Sequence, residues 1–199
     1  MRVTPTPPCA AHAFEPEAAN DNTPSSLPAV VAFTGKAGAG KSTAAAYLVR
    51  RHGYTRVRFA GPLKQMMRAI GLSDAEIEGD LKETPCALLQ GKTPRHAMQT
   101  LGSEWGRDSI GPDFWIGLWR AEAERVLAAG GRVAVDDCRF PNEAAAVRAL
   151  GGRVIAVAGR GGIGGKHASE AGCGPPDAFL WNAGTTGDLE RGLALHLAA

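Results

Sequence analysis

The eight residues GKAGAGKS, 35 to 42, constrain this chain more than any other stretch. They fit G-x-x-x-x-G-K-[ST], and they stand between a short apolar run, AVVAFT, and KSTAAAYLVRRHG, which reads as a helix closed by Gly53. A strand, a loop of small residues and a helix in that order let successive main-chain N–H groups curl around a phosphate chain, with the helix N-terminus adding positive dipole character. Gly35, Lys36, Ala37, Gly38, Ala39 and Gly40 are therefore the expected cradle of a polyphosphate. Lys41 is placed to bridge the outer phosphates, Ser42 to offer its hydroxyl to Mg²⁺, and Thr43 to reach an inner phosphate. The ligand implied is a nucleoside triphosphate.

The rest of the chain repeats the strand and helix alternation that builds a parallel sheet. YTRVRFA (54–60) reads as a second strand, and GPLKQMMRAIGL follows as a helix with Pro62 in its first turn. RVAVDD, FPNEAAAVRALGG and RVIAVAG read as strand, helix, strand, and a last helix runs from Asp188. Between Ser73 and Ser109 the strand signal is absent; Ser73 with Glu76 forms a capping-box pattern, and Thr93-Pro94 opens a helix bearing Met98 and Leu101. A long helix is expected from Pro112, with Trp115, Leu118, Trp119, Val126 and Leu127 broadly on one face. The expected organisation is a disordered tail over 1–27, poor in large apolar residues, and one α/β domain over 28–199, with a helical insertion at about 71–111 and a glycine-rich lid loop at about 159–176.

Charge and cysteine usage narrow the partners. Lys plus Arg total 22 against 20 Asp plus Glu, a net charge of +2 that offers little attraction to a nucleic acid backbone or an anionic membrane. Neither a signal-peptide h-region nor a run of roughly 18 apolar residues is present. The four cysteines, Cys9, Cys86, Cys138 and Cys173, form no C-x-x-C pair and no zinc spacing, so a reduced, cytoplasmic protein is expected. The sequence leaves a homodimer open.

The P-loop serves many chemistries. A guanine-recognising N-K-x-D is missing, and the second strand ends in FAGPLK with no carboxylate to act as base toward a hydroxyl. An acceptor that is already an anion needs no such base. Alternatives left at this point are a P-loop kinase for another small metabolite, such as a dephospho-coenzyme A-like acceptor, and an ATP-binding regulator without turnover.

The ordered set GKAGAGKST, FAGPLK, TPRHAMQTLGSE, DFWIGLW, VDDCRFPNEAAAVRALGG, KHASEAG and WNAG resembles the phage-type deoxynucleoside monophosphate kinases, relatives of the adenylate and thymidylate kinases. The resemblance implies a P-loop kinase-type doubly wound parallel sheet in three α/β/α layers. It further implies transfer of the ATP γ-phosphate, with Mg²⁺, to a nucleoside monophosphate substrate. Arg95 matches a family arginine that would hold the acceptor phosphate; Leu63 and Lys64 match the acceptor-side turn; Gly102 and Ser103 would approach the acceptor; and Trp115 would stack on its base. Asp137, matched to the family D-x-R-x-x-x-E, is chosen over its neighbour Asp136 to organise the water shell of Mg²⁺. Arg139 would touch acceptor or transferring phosphate. Glu143 would fix that arginine or receive a hydrogen bond from the base or sugar, or else be only an exposed acid at a helix start. Arg160 would lie over the adenine or γ-phosphate and Asn182 would border the adenine, while His167 and Glu170 match the family without an assigned task.

Overall fold

The structure, a computed structural model, describes residues 27–161 and 172–198. The tail expected to be disordered, apart from Leu27, and most of the expected lid loop lie outside the described residues. Five parallel strands form one sheet in the order β2-β3-β1-β4-β5. They are β1 (Val30–Thr34), β2 (Thr55–Arg56), β3 (Val133–Val135), β4 (Arg153–Ala158) and β5 (Ala178–Trp181).

Alternation along β1 sends its side chains to two separate cores, which is why the whole strand is buried. Val30 and Ala32, with Val133, Val135 and Val154, pack beneath α5 (Phe114–Ala128) and α6 (Pro141–Ala149) through Ile116, Trp119, Val126 and Val147. Val31 and Phe33, with Ile155, Val157 and Leu180, pack beneath α1 (Lys41–His52) and α7 (Thr186–Ala198) through Leu48, Leu189 and Leu193. Each such buried aliphatic side chain contributes roughly 1.5–3 kcal/mol, so both faces of the sheet require a helical layer. The architecture is the expected three-layer α/β/α sandwich. Because the chain crosses from β1 to β2 on one side and from β3 to β4 on the other, the C-terminal ends of β1 and β3 flank a crevice.

The third apolar cluster belongs to the segment between β2 and α5. It contains α2 (Gly61–Ala69), α3 (Asp74–Ile77), two one-turn 3-10 helices at Asp80–Glu83 and Ala87–Leu89, and α4 (Pro94–Thr100). Leu63, Met67, Leu72 and Ile77 are its buried centre, joined by Trp115 from α5. Ser73 caps α3 with the complete capping box read from sequence, and Thr93 accepts the His96 N–H at the start of α4.

Several boundaries differ from the sequence reading. β2 stops after two residues, although Val57 still donates to Ala134 O, because the next main-chain amides, those of Phe59 and Ala60, are taken by the Asp137 carboxylate at 3.1 and 2.9 Å. The helix expected from Pro112 begins at Phe114, and Leu118 on it is exposed. After α4 ends at Thr100 the chain stays helical as a ten-residue π-helix, Leu101–Ile110, of a kind that pattern rules do not anticipate. β5, four residues long, has a single fully buried side chain, Leu180, and so no periodic signal.

Candidate active site

The P-loop leaves β1 and enters α1 as expected. Gly35, Gly38 and Gly40 hold φ of 129°, 77° and 107°, a region where side chains are strained. A Cβ at Gly35 would fall on Val157 O, so the loop lies flat on β4. Gly35, Lys36, Ala37 and Gly38 are exposed, whereas Ala39 is buried and its carbonyl accepts a hydrogen bond from the buried Asn182 Nδ2 at 2.8 Å. Asn182, read from sequence as a neighbour of the adenine, thus braces the loop from behind, and Gly40 has no Cβ because that amide fills the space. Lys41 Nζ donates to Gly35 O at 2.6 Å and Lys36 O at 2.8 Å, folding back over the loop. Thr43 sits one residue into α1 beyond Ser42. Arg160 follows β4 and donates to Gly184 O at 2.7 Å, while Gly161 crosses directly over Ala37 and Ala39. His167 and Glu170 lie outside the described residues.

At the end of β3 the two carboxylates face different neighbours, and the one that meets the P-loop serine is not the one the motif selects. Asp136, not Asp137, accepts the Ser42 hydroxyl hydrogen bond. It is buried and clamped by Arg58, whose Nε and Nη2 donate to Oδ1 and Oδ2 at 2.8 and 3.1 Å, with Arg56 at 3.8 Å. Burial alone would raise its pKa, but the Arg58 bonds and charge, the Ser42 hydroxyl and Arg56 together hold it below the ordinary carboxylate value. Asp137 points instead to the turn after β2. Burial, then the charge of Asp136, pushes it above the ordinary value despite the two amides it accepts from. Neighbouring residues on a strand face opposite ways, so only one carboxylate can meet Ser42; which one depends on register, which the motif does not encode.

The acceptor-side expectations converge. Leu63, Lys64, Arg95, Gly102, Ser103, Trp115, Asp137, Arg139 and Glu143, drawn from six stretches of chain, all line one open cavity. Trp115 is only 3% exposed; its Nε1 donates to Gly102 O at 2.8 Å, and its indole packs where a Cβ on Gly106 would stand. It is a wall of the cavity anchored in the third apolar cluster, so its ring has one side committed to packing. Trp119 is core, as expected, and stacks on Phe59 at 4.5 Å between centroids. Lys64 Nζ is held by Glu78 at 2.8 Å, and Arg95 pairs with Glu83.

Glu143 is not an exposed helix-start acid. It is 2% exposed, and its carboxylate accepts from the amides of Arg139 at 2.7 Å and Phe140 at 3.1 Å and from Arg107 Nη2 at 2.7 Å. Burial raises its pKa to about 7; the Arg139 amide and Arg107 oppose that shift and Asp137 adds to it. Arg107, which the sequence reading missed, comes from the π-helix and lies 3.9 Å over the Phe140 ring. Met98, Gln99 and Phe140 also line the cavity. The signal for Arg107 was the continuation of LGSE into WGR, three residues beyond the segment that carried the resemblance.

Among the described residues no cluster of three metal-ligating side chains occurs, and no helix is long and apolar enough to cross a membrane. No protein-family model matches the chain. It is 35% identical over 141 residues, 64% of this chain and 72% of the relative, to a protein of Acanthamoeba polyphaga mimivirus named "Putative deoxynucleotide monophosphate kinase". Among solved structures it is similar to a Cys556Ala mutant of the Mycobacterium tuberculosis APS kinase (14% identity, TM-score 0.46, covering 87% of this chain and 99% of that one). It is also similar to TT1252 of Thermus thermophilus (19% identity, TM-score 0.47, covering 86% and 97%). With the P-loop, the paired carboxylates after β3 and the cavity beside them in place, the mimivirus relative shows that this chain belongs to the deoxynucleotide monophosphate kinase family.

Proposed function

We propose that the protein transfers the γ-phosphate of ATP to a deoxynucleoside 5′-monophosphate, giving ADP and the diphosphate. The observation that carries this reading is the convergence of Lys64, Arg95, Arg107 and Arg139 on one cavity, with the carboxylates after β3 leading from it to the P-loop. The deoxynucleotide acceptor rests on the relative's name.

The chemistry asks little of the protein in proton transfer. A phosphate monoester has a second pKa of about 6, so its attacking oxygen is largely ionised at neutral pH. The work is to hold two polyanions in line and offset their repulsion. The exposed P-loop amides and Lys41 bind the donor phosphates, with Lys41 turning from Gly35 O and Lys36 O toward them. Arg95, Lys64 and Arg139 bind the acceptor phosphate and shield the transferring group. Arg107, fixed by Glu143 and Phe140, forms the adjoining wall.

Ser42 and Asp136 fit a Mg²⁺ ion that keeps most of its water: one hydroxyl, one carboxylate behind it and no cage of protein oxygens. When bound, that ion supplies charge neutralisation across the β- and γ-phosphates. Asp136 orients Ser42 and would hold the ion's outer coordination side, and Arg58 keeps its carboxylate in that position.

A hydroxyl-phosphorylating kinase would need a carboxylate free to accept a proton. The two that line the cavity are engaged: Asp137 by the amides of Phe59 and Ala60, Glu143 by two amides and Arg107. The test is ADP formation from ATP and Mg²⁺ with each common dNMP, each NMP and dephospho-coenzyme A. Acceptor-dependent ADP with at least one dNMP, abolished in Lys41→Ala, is expected; turnover of dephospho-coenzyme A alone, or of nothing, rejects the reading.

A further inference from the structure

We propose that the β5 edge of the sheet, with α7 beneath it, is the interface of a homodimer: β5 pairs antiparallel with β5 of a second copy and continues the sheet across a two-fold axis. This assembly does not depend on the kinase reading.

The first observation is where the apolar surface lies. Among the described residues the three most exposed large hydrophobic side chains are Phe179 (65%), Trp181 (69%) and Leu195 (75%), and all belong to β5 or α7. Leu180, between the two aromatics, is buried with Leu189 and Leu193 of α7. Alternation therefore puts Phe179 and Trp181 on the opposite face of the sheet. Their neighbours across the ladder, Ala156 and Ala158, are too small to cover the rings.

The second observation is the edge itself. β2, at the other end of the sheet, is two residues long and carries Arg56, whereas Ala178–Trp181 has neither a charge nor a proline to keep another strand away. Asn182 N–H donates to Ala158 O at 2.7 Å, so the N–H and C=O groups of Phe179 and Trp181 turn away from β4 to the open side. A second copy of this strand, run antiparallel, satisfies them. Phe179 faces Trp181 of the second copy, and the reverse, and each pair exchanges both main-chain hydrogen bonds. The same register sets each Phe ring beside a Trp ring on one face, as aromatic cross-strand pairs. No like charges meet, because Asp177, the charged residue in 177–183, is held by Arg148 of its own copy at 3.0 Å. On the other face the two α7 helices lie side by side, each bringing Leu195.

The area fits a second copy. At these exposures the three side chains present roughly 350 Å² per copy. Two copies hide roughly 700 Å² through them, and the strand edges bring the total to the roughly 1,000 Å² at which specific interfaces begin. Dissociation in the micromolar range is expected for so small an interface.

The test is sedimentation equilibrium of the full chain from about 1 to 200 µM, for wild type, Trp181→Lys and Phe179→Pro. Wild type should pass from monomer to dimer across this range. Trp181→Lys removes the ring from both pairs and should raise the Kd at least about 100-fold. In Phe179→Pro the missing N–H faces the open side, so the ladder to β4 is kept and the pairing to a second copy is lost. Thermal melts check that both variants are folded, and if Phe179→Pro is not, Trp181→Lys, changed at an exposed side chain, decides alone. Amide exchange followed by NMR should slow at Phe179 and Trp181 as concentration rises, and stay constant at Leu180. A wild type that is monomeric throughout overturns the proposal, as does a dimer that forms equally well in Trp181→Lys. Phe179 and Trp181 amides protected equally at every concentration also overturn it, because the chain itself then covers the edge.

Discussion

Glu143 gives the sharpest prediction about stability. Its carboxyl is buried and its pKa is raised to about 7, chiefly by that burial. The folded state therefore keeps a proton on Glu143 over a pH range where the unfolded chain has released it. Where the native state binds more protons, stability falls as pH rises. From the ordinary carboxylate value of about 4.3 up to about 7 the loss approaches about 1.4 kcal/mol per pH unit, and in total it is about 3.7 kcal/mol. Above about 7 both states are ionised and the contribution is constant. Glu143→Gln removes this titration while keeping an oxygen for the Arg139 and Phe140 amides. The assay is urea denaturation of wild type and Glu143→Gln at pH 5, 6, 7 and 8. Relative to the variant, wild type should lose about 3 kcal/mol between pH 5 and pH 8, or about 6–12 °C in Tm for a chain of this size. Parallel pH profiles for the two proteins would refute the reasoning and mean that Arg107 fully offsets the desolvation of the carboxylate.

Two further substitutions separate the parts of the site. Asp136→Asn takes from Arg58 one of its two carboxylate partners, leaving Glu78, and removes the carboxylate from Ser42, so it should cost about 1–3 kcal/mol of stability by denaturation and weaken Mg²⁺-dependent ADP binding, whereas ADP binding in EDTA should hold. Asp137→Asn should leave the Mg²⁺ dependence of ADP binding unchanged, since its carboxylate serves the turn after β2. Gly106→Ala places a methyl group on the Trp115 indole, so it should raise the monophosphate KM several-fold with little change in the ATP KM, measured in the same kinetic assay.

How much of this was legible beforehand follows from the range of the interactions. The P-loop, α1 with its Gly53 stop, the Ser73 capping box and the Thr93 cap rest on neighbours within a few residues, and sequence carries those directly. The set of cavity residues was legible through the resemblance, because the segments that carry it together line one cavity. What was not legible depends on how distant segments meet. Asp136 and Asp137 differ only in which way a strand turns its side chains, and the deciding partners, Ser42 and the amides of Phe59 and Ala60, lie about 77 to 94 residues away. Glu143 stayed open between a cavity role and a solvated helix-start acid, because Arg107, which pairs with the buried carboxylate, is supplied by a π-helix with no local signature. Leu118 fits the apolar stripe of α5 yet faces solvent, since the stripe is wider than the surface that covers it.

On the proposed reading, donor and acceptor phosphates meet between the P-loop and the cavity rim. Its most direct test is the affinity of a bisubstrate analogue, an adenosine and a deoxynucleoside joined through five phosphates. One molecule spanning both sites should bind at least about 100-fold more tightly than ATP or the monophosphate alone, because the second contact is made intramolecularly. Lys41→Ala and Arg139→Ala should each weaken it. An affinity no better than that of ATP, insensitive to Arg139→Ala, would contradict the claim.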